Sequence, residues 1–404
     1  MIKRREKFKM MEDIKKYREA EKLKKWSREV QKIPPYLDKF EGLNNRLHPE
    51  IQELKITKIQ ELSHDTKLYR FVSANPDKPL AIFRAGQYIG ITVNINGVRT
   101  VRPYSIVSSP NQTAYYELAI RRKKNGFVSP FILDNAKIGD IFEATEPLGQ
   151  FYYNPLFHGK DLVFIAGGCG ITPFISMIRD IIELGKPINI ELLYGCLTEL
   201  DILFREELED IRTRKQNFEV KFVLSEAHSE WGGLCGFITK EVISSNIDKY
   251  IDKFYYICGS REMYQFILEE LNKLGVPRHH IIFETFGVPD DVTKILGWPS
   301  HLNSSDLFEI TMEYLENGKT HTISFKASCT EPLLNSIERQ KDINLNIKSG
   351  CRSGVCALCR TKLISGEIFL PPDVTIREMD KDLGYIHPCV SYPLTDLHLD
   401  LKMI

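Results

Sequence analysis

The chain has 404 residues, and its 54 basic and 54 acidic side chains give a formal net charge of zero. This length exceeds what a single hydrophobic core usually serves, so the sequence predicts two to four domains. Hydrophobic residues make up 43% and charged residues 27%, a composition that excludes wholesale disorder, and the balanced charge argues against nucleic-acid binding.

The first predicted element is a basic amphipathic helix in an extension that spans residues 1–50. Residues 1–33 hold thirteen Lys or Arg and six Asp or Glu, and their apolar side chains recur at helical spacing until Pro34 and Pro35. Such a helix either packs on the rest of the chain or docks on a partner or a membrane surface. It lacks the apolar run of a secretory signal, so we expect a cytoplasmic protein.

Residues 51–157 are predicted to form a small antiparallel β-barrel. Six or so short segments, rich in β-branched and aromatic residues, are separated by turn residues. The segment RPYSIVSS, residues 102–109, combines an arginine that can pair with a phosphate, Arg102, with a flat ring, Tyr104, and a hydroxyl, Ser105. Taken alone, this segment also fits an ordinary strand with an exposed arginine.

Residues 158–298 alternate between strand-like and helical stretches, which predicts a parallel sheet covered on both faces. The segment GGCGITP, residues 167–173, follows the first strand, and free N–H groups there favour an anion such as a pyrophosphate. Thr172 and Pro173 are expected as the cap and the first residue of the next helix. A tight turn without a ligand is the alternative, because proline replaces the last glycine of the G-x-G-x-x-G pattern. The apolar run at 162–178 is too short for the about 20 residues of a membrane span.

Four of the nine cysteines lie in the last hundred residues, and their spacing indicates their role. Cys351, Cys356 and Cys359 follow the pattern C-x4-C-x2-C, and Cys389 comes later, which is the plant-type ligand arrangement for a [2Fe–2S] cluster. Zinc sites prefer two closely spaced pairs, whereas the fourth cysteine here has only His387 nearby. The spacing therefore favours the cluster over zinc and over inert core cysteines. Four of the other five cysteines are expected to be small buried residues, and Cys258 is considered below.

Together these motifs resemble the ferredoxin–NADP reductase superfamily, specifically its iron–sulfur flavoprotein reductases. The resemblance covers residues 51–404 and rests on RPYSIVS, the G-x-x-S loop at 126–129, GGCGITP, CGSREM at 258–263 and FETFG at 283–287. It implies a multidomain fold with four parts: a basic helical extension (1–50), an antiparallel β-barrel flavin domain (51–157), an α/β parallel-sheet NAD(P) domain (158–298) and an α+β, β-grasp [2Fe–2S] ferredoxin domain (304–404).

The resemblance also implies roles for individual residues. The implied flavin contacts are Arg102, Tyr104, Ser105, Gly126, Val128, Ser129, Glu284 and Phe286. The implied contacts of the nicotinamide nucleotide are Gly168, Gly170, Ile171, Thr172, Pro173, Cys258 and Gly259. The implied catalytic residues are Ser105 and Cys258, and the implied cluster ligands are Cys351, Cys356, Cys359 and Cys389.

Two positions depart from the pattern of the family. Ser260 follows Cys258-Gly259 where the family usually has proline, and Ala357 stands where many of its ferredoxins have glycine. Cys258 itself also fits a purely structural role, as a small buried residue at a strand end.

The implied function is that of an NAD(P)H-dependent reductase, which passes electrons from NADH through flavin and a [2Fe–2S] cluster to a separate acceptor protein such as an oxygenase component. A reductase for an oxygen-independent acceptor, such as a corrinoid or hybrid-cluster protein, is the alternative. A redox sensor is disfavoured because both nucleotide motifs are intact.

FAD is expected rather than FMN. NADH is expected rather than NADPH, because Glu199 and Asp201 and no cation follow the second strand, with Arg205 on the next helix as the exception.

Overall fold

The computed structural model describes residues 47–285, 287–316, 318–340, 347–374 and 376–402. The chain divides into two compact units, Met1–Leu47 and His48–Ile404, and the architecture below is that of the second. The basic helix predicted near the N-terminus and the predicted flavin contact Phe286 both lie outside the described residues.

The first part of this unit is a six-stranded antiparallel barrel, as predicted. Its strands are β1 (Gln52–Ser63), β2 (Thr66–Ser73), β3 (Tyr88–Ile95), β4 (Val98–Ser105), β5 (Tyr116–Arg121) and β6 (Ile141–Ala144). They are hydrogen-bonded in the order β4-β3-β6-β1-β2-β5, and a bridge between Ile106 and Leu118 joins the two edges. Helix α1 (Ser129–Asn135) follows β5 and buries Ile132 and Leu133 in the apolar core of the barrel.

The second part is a parallel sheet with helices on both faces, which confirms the α/β prediction. Its strands are β7 (Asp161–Gly167), β8 (Asn189–Cys196), β9 (Phe218–Leu224), β10 (Leu234–Cys235), β11 (Phe254–Gly259) and β12 (Ile281–Thr285). Its helices are α2 (Thr172–Glu183), α3 (Arg205–Arg214), α4 (Lys240–Asn246) and α5 (Arg261–Lys273). The two faces of the sheet carry separate apolar cores, because α2 and α3 cover one face and α4 and α5 the other.

The order of this sheet, β10-β9-β8-β7-β11-β12, reverses direction at β7. The chain builds outward from β7 first on one side and then on the other, which opens a crevice beyond the carboxyl ends of β7 and β11 where such sheets bind ligands. The apolar run at 162–178 is strand β7 and the start of α2. Among the described residues, no helix is both long and apolar enough to cross a membrane.

The third part is a mixed five-stranded sheet of the order β14-β13-β19-β15-β17 with a helix packed on it, the predicted α+β architecture. Its elements are β13 (Leu307–Glu316), β14 (Lys319–Ser328), α6 (Leu333–Glu338), β15 (Thr361–Ser365), β16 (Ile368–Phe369), α7 (Glu378–Asp382), β17 (Tyr385–Ile386), β18 (Tyr392–Pro393) and β19 (Leu397–Asp400). Leu333 and Ile337 of α6 share the core of this part with Ile310 and Leu399 of the sheet.

The third part contacts both of the others. Arg352, in the loop that carries three of the cluster cysteines, donates to the carbonyl oxygen of Val101 in β4 at 2.6 Å. On the other side, Asp373 accepts from Gln265 of helix α5 at 3.1 Å and pairs with Arg261. These contacts hold the cysteine-bearing loop against the barrel, beside the predicted flavin motif.

Candidate functional site

A cavity of about 340 Å³ lies where the barrel meets the carboxyl edge of the parallel sheet. Its walls come from the end of β4, the turn after β7 and the end of β11. We call it the ring cavity. Seven of the predicted site residues line it, namely Tyr104, Ser105, Gly168, Gly170, Thr172, Cys258 and Gly259. The structure therefore brings together three sequence motifs that are separated by about 60 and 90 residues along the chain.

Glycine at position 170 allows the turn after β7 to lie against the end of β11. A Cβ atom on Gly170 would be only 2.1 Å from the carbonyl oxygen of Cys258, so no other residue fits without a shift of the backbone. Gly168 has a φ of +51° and leaves room for the guanidinium of Arg121, which would be 2.9 Å from a Cβ atom there. These two glycines shape the floor of the ring cavity.

The start of helix α2 differs from the prediction by one position. Residues Gly168–Ile171 already form a turn of 3₁₀-helix, so Ile171 takes the N-cap position and Thr172 is the first helical residue. The Thr172 hydroxyl donates to the carbonyl oxygen of Cys169 at 3.0 Å. Ile171 and Pro173 are buried in the sheet core, and only the backbone of these two residues is left to face a ligand.

A second cavity, of about 550 Å³, continues from the ring cavity across the carboxyl ends of β7, β8 and β9. We call it the nucleotide cleft. Phe237 and Phe266 form one wall, with ring centroids 6.1 Å apart, and Phe237 is 69% exposed. Exposed aromatic faces of this kind suit a stacked base. No sequence motif pointed to these two phenylalanines, because they come from a loop and a helix brought together only by the fold.

Arg121 is a further residue that sequence reasoning missed, and it lines both cavities. Its Nε donates to Asp65 at 2.7 Å, and its second amino group lies 3.4 Å from a carboxylate oxygen of Asp201. Burial alone would lower the pKa of Arg121, but the hydrogen bond to Asp65 raises it above its ordinary value. The guanidinium therefore stays charged at the junction of the two cavities, where it can bind a phosphate.

Acidic side chains follow β8 on the ribose side of the nucleotide cleft. Arg205, the predicted exception, pairs with Glu199 at 2.8 Å and with Glu209 at 3.1 Å. Asp201 accepts hydrogen bonds from the backbone N–H and the hydroxyl of Thr198, at 3.0 and 2.8 Å. Arg205 is thus already bound by two carboxylates, and unlike Arg121 it is not among the residues that line the cleft, which leaves it poorly placed to hold a 2′-phosphate.

Cys258 and Glu284 are paired in register on adjacent strands, β11 and β12. Cys258 is buried, and this burial raises the pKa of its thiol well above the ordinary value, so the thiol stays protonated at neutral pH. Burial also raises the pKa of the Glu284 carboxyl, with a smaller effect of Cys351 in the same direction. The Oε2 atom of Glu284 is buried and has no hydrogen-bond partner among the described residues. A carboxyl that burial holds toward its protonated form, with one unused oxygen, fits a site that receives a polar ligand.

Arg102 does not line the ring cavity. Its guanidinium donates to the Thr100 hydroxyl at 2.6 Å and to the carbonyl oxygen of Val101 at 2.9 Å. Burial lowers the pKa of Arg102 to about 10, and the neighbouring Arg352 acts in the same direction. A flavin contact of Arg102 stays a prediction.

The predicted phosphate loop lies between β5 and α1, outside the residues that line the ring cavity. Ser129 begins helix α1, and its hydroxyl accepts the N–H of Lys123 at 2.9 Å. The side chain of Val128 is buried in the barrel core, so only its backbone is available to a ligand. Gly126 closes the turn by donating its N–H to the carbonyl of Lys123 at 2.9 Å.

The four predicted cluster ligands meet at one place. The thiol of Cys351 interacts with those of Cys356 and Cys389, and the thiol of Cys389 also interacts with that of Cys359. Cys356 is half-buried, and the other three are buried. Four neighbouring thiols fit the two irons of a [2Fe–2S] cluster, each of which takes two thiolates. Within the part of the chain that the structure describes, no three ligand side chains converge on a single metal ion.

Backbone N–H groups of the loop point at sulfur. Those of Cys356 and Ser353 lie 3.3 and 3.4 Å from the Sγ atom of Cys351. Such N–H groups stabilise negative charge on sulfur, which suits the thiolate that a metal binds. His387 is not free to act as a ligand, because its ring nitrogens bind the carbonyl of Gly354 at 2.6 Å and the carboxylate of Asp380 at 2.9 Å.

The ring cavity and the cysteine loop lie side by side. A Cβ atom on Gly350, the residue before Cys351, would be 3.0 Å from a methyl carbon of Leu148 in the barrel. Tyr88 pairs in register with Ser105, which lines the ring cavity. Burial raises the pKa of Tyr88, and Cys351 acts next in the same direction, so Tyr88 lies in the neighbourhood of the cysteine loop. Few atoms separate the two sites.

Comparison with protein families gives three matches. The chain matches an oxidoreductase FAD-binding domain over residues 53–153, an oxidoreductase NAD-binding domain over residues 164–269 and a 2Fe-2S iron-sulfur cluster binding domain over residues 315–394. The ring cavity spans the first two domains, and the four cysteines lie in the third. FAD, NAD and a [2Fe–2S] cluster are therefore the cofactors for which this chain has domains.

Individual relatives are similar over much of the chain. A glycine betaine monooxygenase reductase subunit of Chromohalobacter salexigens is 24% identical over 356 residues, which cover 86% of this chain and 94% of that protein. An NADH-cytochrome b5 reductase 1 of Dictyostelium discoideum is 32% identical over 222 residues, 54% of this chain and 77% of that protein. The crystal structure of phthalate dioxygenase reductase has the same fold, with a TM-score of 0.63 and 24% identity over 87% of this chain and 98% of that one.

Proposed function

Because the chain belongs to the ferredoxin–NADP reductase superfamily, with a C-terminal [2Fe–2S] domain, we propose that it passes electrons from NADH through FAD and the cluster to a separate oxygenase component. The chain is an oxidoreductase with all three cofactor domains in one polypeptide. The similarity to reductase subunits of a monooxygenase and a dioxygenase supports an oxygenase as the acceptor. An oxygen-independent acceptor is the alternative. A cytoplasmic location stays a prediction.

One observation carries the proposal: the cysteine loop packs directly on the barrel beside the ring cavity. The Leu148 side chain lies against the loop at Gly350, and Tyr88, whose strand partner Ser105 lines the ring cavity, is near Cys351. A hydride acceptor in the ring cavity and a cluster on the four cysteines would therefore be near neighbours. This is the arrangement that sequential electron transfer requires.

We assign the chemistry as follows. When bound, FAD converts the two-electron hydride of NADH into the single electrons that a [2Fe–2S] cluster accepts. Tyr104 offers a flat face to the flavin, and Ser105 offers a hydroxyl. Burial raises the pKa of Tyr104, so its phenol stays neutral. Cys258, as a neutral thiol, forms part of the wall that orients the nicotinamide. The protonated carboxyl of Glu284 supplies a hydrogen bond to the bound ligand.

The remaining predicted residues belong to the same proposal. Backbone groups of Gly126, Val128 and Ser129 would hold the FAD phosphate, and the glycine-rich turn from Gly168 to Pro173 would hold the pyrophosphate of NADH together with Arg121. The proposed cluster ligands are the four cysteines, and the proposed domain limits are residues 51–157, 158–298 and 304–404.

We further propose that electrons leave through the exposed tip of the cysteine loop. Val355 lies between cluster ligands in the chain and is 64% exposed. It precedes Cys356, the least buried of the four ligands. An exposed apolar side chain beside the cluster suits the centre of a small, transient contact with an acceptor protein.

The experiment that tests this function follows each electron-transfer step in the purified holoprotein. NADH is mixed with the protein without oxygen, and the absorbance of the flavin and the resonance of the reduced cluster are followed in time. We expect the flavin to be reduced first and the cluster second. A flavin that NADH does not reduce, or a cluster that stays oxidised, contradicts the proposal. Acceptor proteins purified from the native cell, assayed with and without oxygen, separate the oxygenase from the alternative.

A further inference from the structure

A buried network of polar side chains joins the cysteine loop to the flavin motif. Its centre is the hydroxyl of Thr100 in β4, which donates to Glu338 of helix α6 at 2.8 Å. The same hydroxyl accepts from Arg352 of the cysteine loop at 2.8 Å and from Arg102 of the flavin motif at 2.6 Å. One hydroxyl of the barrel thus connects an arginine beside a cluster ligand with the arginine of the predicted flavin motif.

Arg352 divides its donor groups between strand β4 of the barrel and helix α6 of its own domain. Its Nε binds the carbonyl oxygen of Val101 at 2.6 Å, and one amino group binds the side-chain oxygen of Asn335 at 3.0 Å. The other amino group binds Thr100 and forms an ion pair with Glu338. A guanidinium can hold several partners in one fixed plane, which a lysine cannot do.

The network is buried, so its geometry is well defined. The side chain of Arg352 is 9% exposed and that of Glu338 is 12% exposed. The ion pair holds the loop on helix α6 of its own domain, and removing one partner would leave the other charge buried and unpaired. The hydrogen bonds to Thr100 and Val101 then fix this loop and helix together on β4.

We propose that Arg352 is a positioning residue, which fixes the cysteine loop on strand β4 and thereby sets the separation between flavin and cluster. The inference rests on the proposed function, because it concerns the step between those two groups. The rate of electron transfer falls steeply with distance. A loop that is loosened without losing its cluster will therefore slow this one step and leave the transfer from NADH to flavin unchanged.

The test uses the holoprotein and four variants. Arg352→Gln removes the charge, and Arg352→Lys keeps the charge but loses the fixed fork. Thr100→Val removes the shared hydroxyl from the barrel side, without a change in the ferredoxin domain. Arg339→Gln is the matched control, because Arg339 pairs with Glu331 inside the same domain and is 49% exposed.

Each variant is examined for iron and labile sulfide, for the cluster resonance, for the two reduction rates, and for hydrogen exchange of strand β4. We expect Arg352→Gln, Arg352→Lys and Thr100→Val to slow reduction of the cluster by about tenfold, since small displacements cost large factors in rate. Flavin reduction by NADH should stay within about twofold, since no hydride contact changes. Exchange of residues 98–105 should rise, and Arg339→Gln should match the wild type.

Wild-type rates of cluster reduction in both Arg352→Gln and Thr100→Val would overturn the inference. So would an equal loss in the flavin and cluster steps, which would indicate a general structural role. If Arg352→Gln fails to retain its cluster, Thr100→Val decides alone, because it leaves the cysteine loop intact. A wild-type protein that shows no transfer from flavin to cluster would instead refute the proposed function.

Discussion

The cysteine loop and the ring cavity are the proposed sites of two redox groups of one chain, but they are built in opposite ways. The cysteine loop takes three of its four ligands from nine consecutive residues, and its backbone N–H groups point at sulfur. The ring cavity has no such ligands, and its walls come from three distant segments that meet only in the folded chain. A bond from a thiolate to iron is either present or absent, whereas a residue in a cavity wall can shift slightly and change the fit of a bound ligand only in part. Substitution of a cysteine ligand should therefore abolish cluster binding, whereas substitution in the wall of the ring cavity should only slow flavin reduction.

The sharpest test of this contrast is Cys359→Ala, for which we expect the largest effect. A [2Fe–2S] cluster needs all four thiolates, so the variant should lose its iron, and NADH-dependent reduction of cytochrome c should fall by about 100-fold. Reduction of ferricyanide, which can take electrons from the flavin, should stay within about twofold. Iron analysis and the two steady-state assays measure the difference.

The matched control is Cys329→Ala in the same domain. Cys329 is also buried, but its thiol donates to the carbonyl of Asn303 at 3.2 Å and lies apart from the cluster thiols. We expect this variant to keep its iron and its cytochrome c activity. An equal loss of iron in both variants would mean that cysteine replacement simply unfolds the domain.

In the ring cavity, Cys258→Ala should give the next largest effect. The thiol forms part of the wall against which the nicotinamide is oriented, and a loosened fit should slow flavin reduction by about tenfold, or about 1.4 kcal/mol of barrier. Flavin content and the iron content should not change. Stopped-flow bleaching of the flavin by NADH measures the rate, with Cys235→Ala, an exposed cysteine, as the control. An unchanged rate would assign Cys258 to the core alone.

A smaller effect is expected where the cysteine loop meets the acceptor. Val355→Glu places a charge at the exposed tip of the loop and should raise the KM for cytochrome c about fivefold, since a charge in a desolvated contact is unfavourable. The cluster resonance and ferricyanide reduction should match the wild type. Leu315→Glu is the control, because Leu315 is exposed to a similar degree on β13 of the same domain. Equal values of KM in the two variants would mean that electrons do not leave the protein at Val355.

The smallest effect concerns the nucleotide cleft. Glu199→Gln releases Arg205 from one of its two carboxylates and should improve kcat/KM for NADPH about threefold, while the wild type prefers NADH. Glu209→Gln frees the same arginine from its other partner and serves as the comparison, because Glu209 lies further along helix α3. A wild-type preference for NADPH would refute the assignment of the acidic side chains.

The same contrast explains what could be predicted from sequence. That the four cysteines lie together could be predicted because three of them are close in the chain and their spacing is typical of a [2Fe–2S] domain, and their role as ligands stays a proposal. The strands of the barrel and the parallel sheet were predictable from alternation and from β-branched composition. Arg121 and Phe237 were not, because nothing in their own segments indicates that a cavity lies beside them. Arg352 is part of the cysteine motif, but its role could not be predicted because its partners in β4 are some 250 residues away in the sequence.

One error was local. Thr172 was expected to cap helix α2, because threonine before proline is a frequent helix start. The preceding glycines allow the chain to turn as a 3₁₀-helix before the α-helix begins, and the cap position moves back to Ile171. The prediction considered only threonine and proline, and it did not allow for the helical turn that the glycines before them can form.

Two residues of the cysteine loop, Arg352 and Ala357, have left-handed backbone conformations, with φ of +52° and +58°. For a residue with a Cβ atom this conformation costs about 1–2 kcal/mol, which glycine would avoid. The loop therefore stores strain that ligand bonds and the contacts of Arg352 must offset. During maturation, insertion of the cluster would therefore have to hold two residues in this costly conformation. Ala357→Gly should remove part of that cost, and faster loading of the apoprotein with iron and sulfide would measure it.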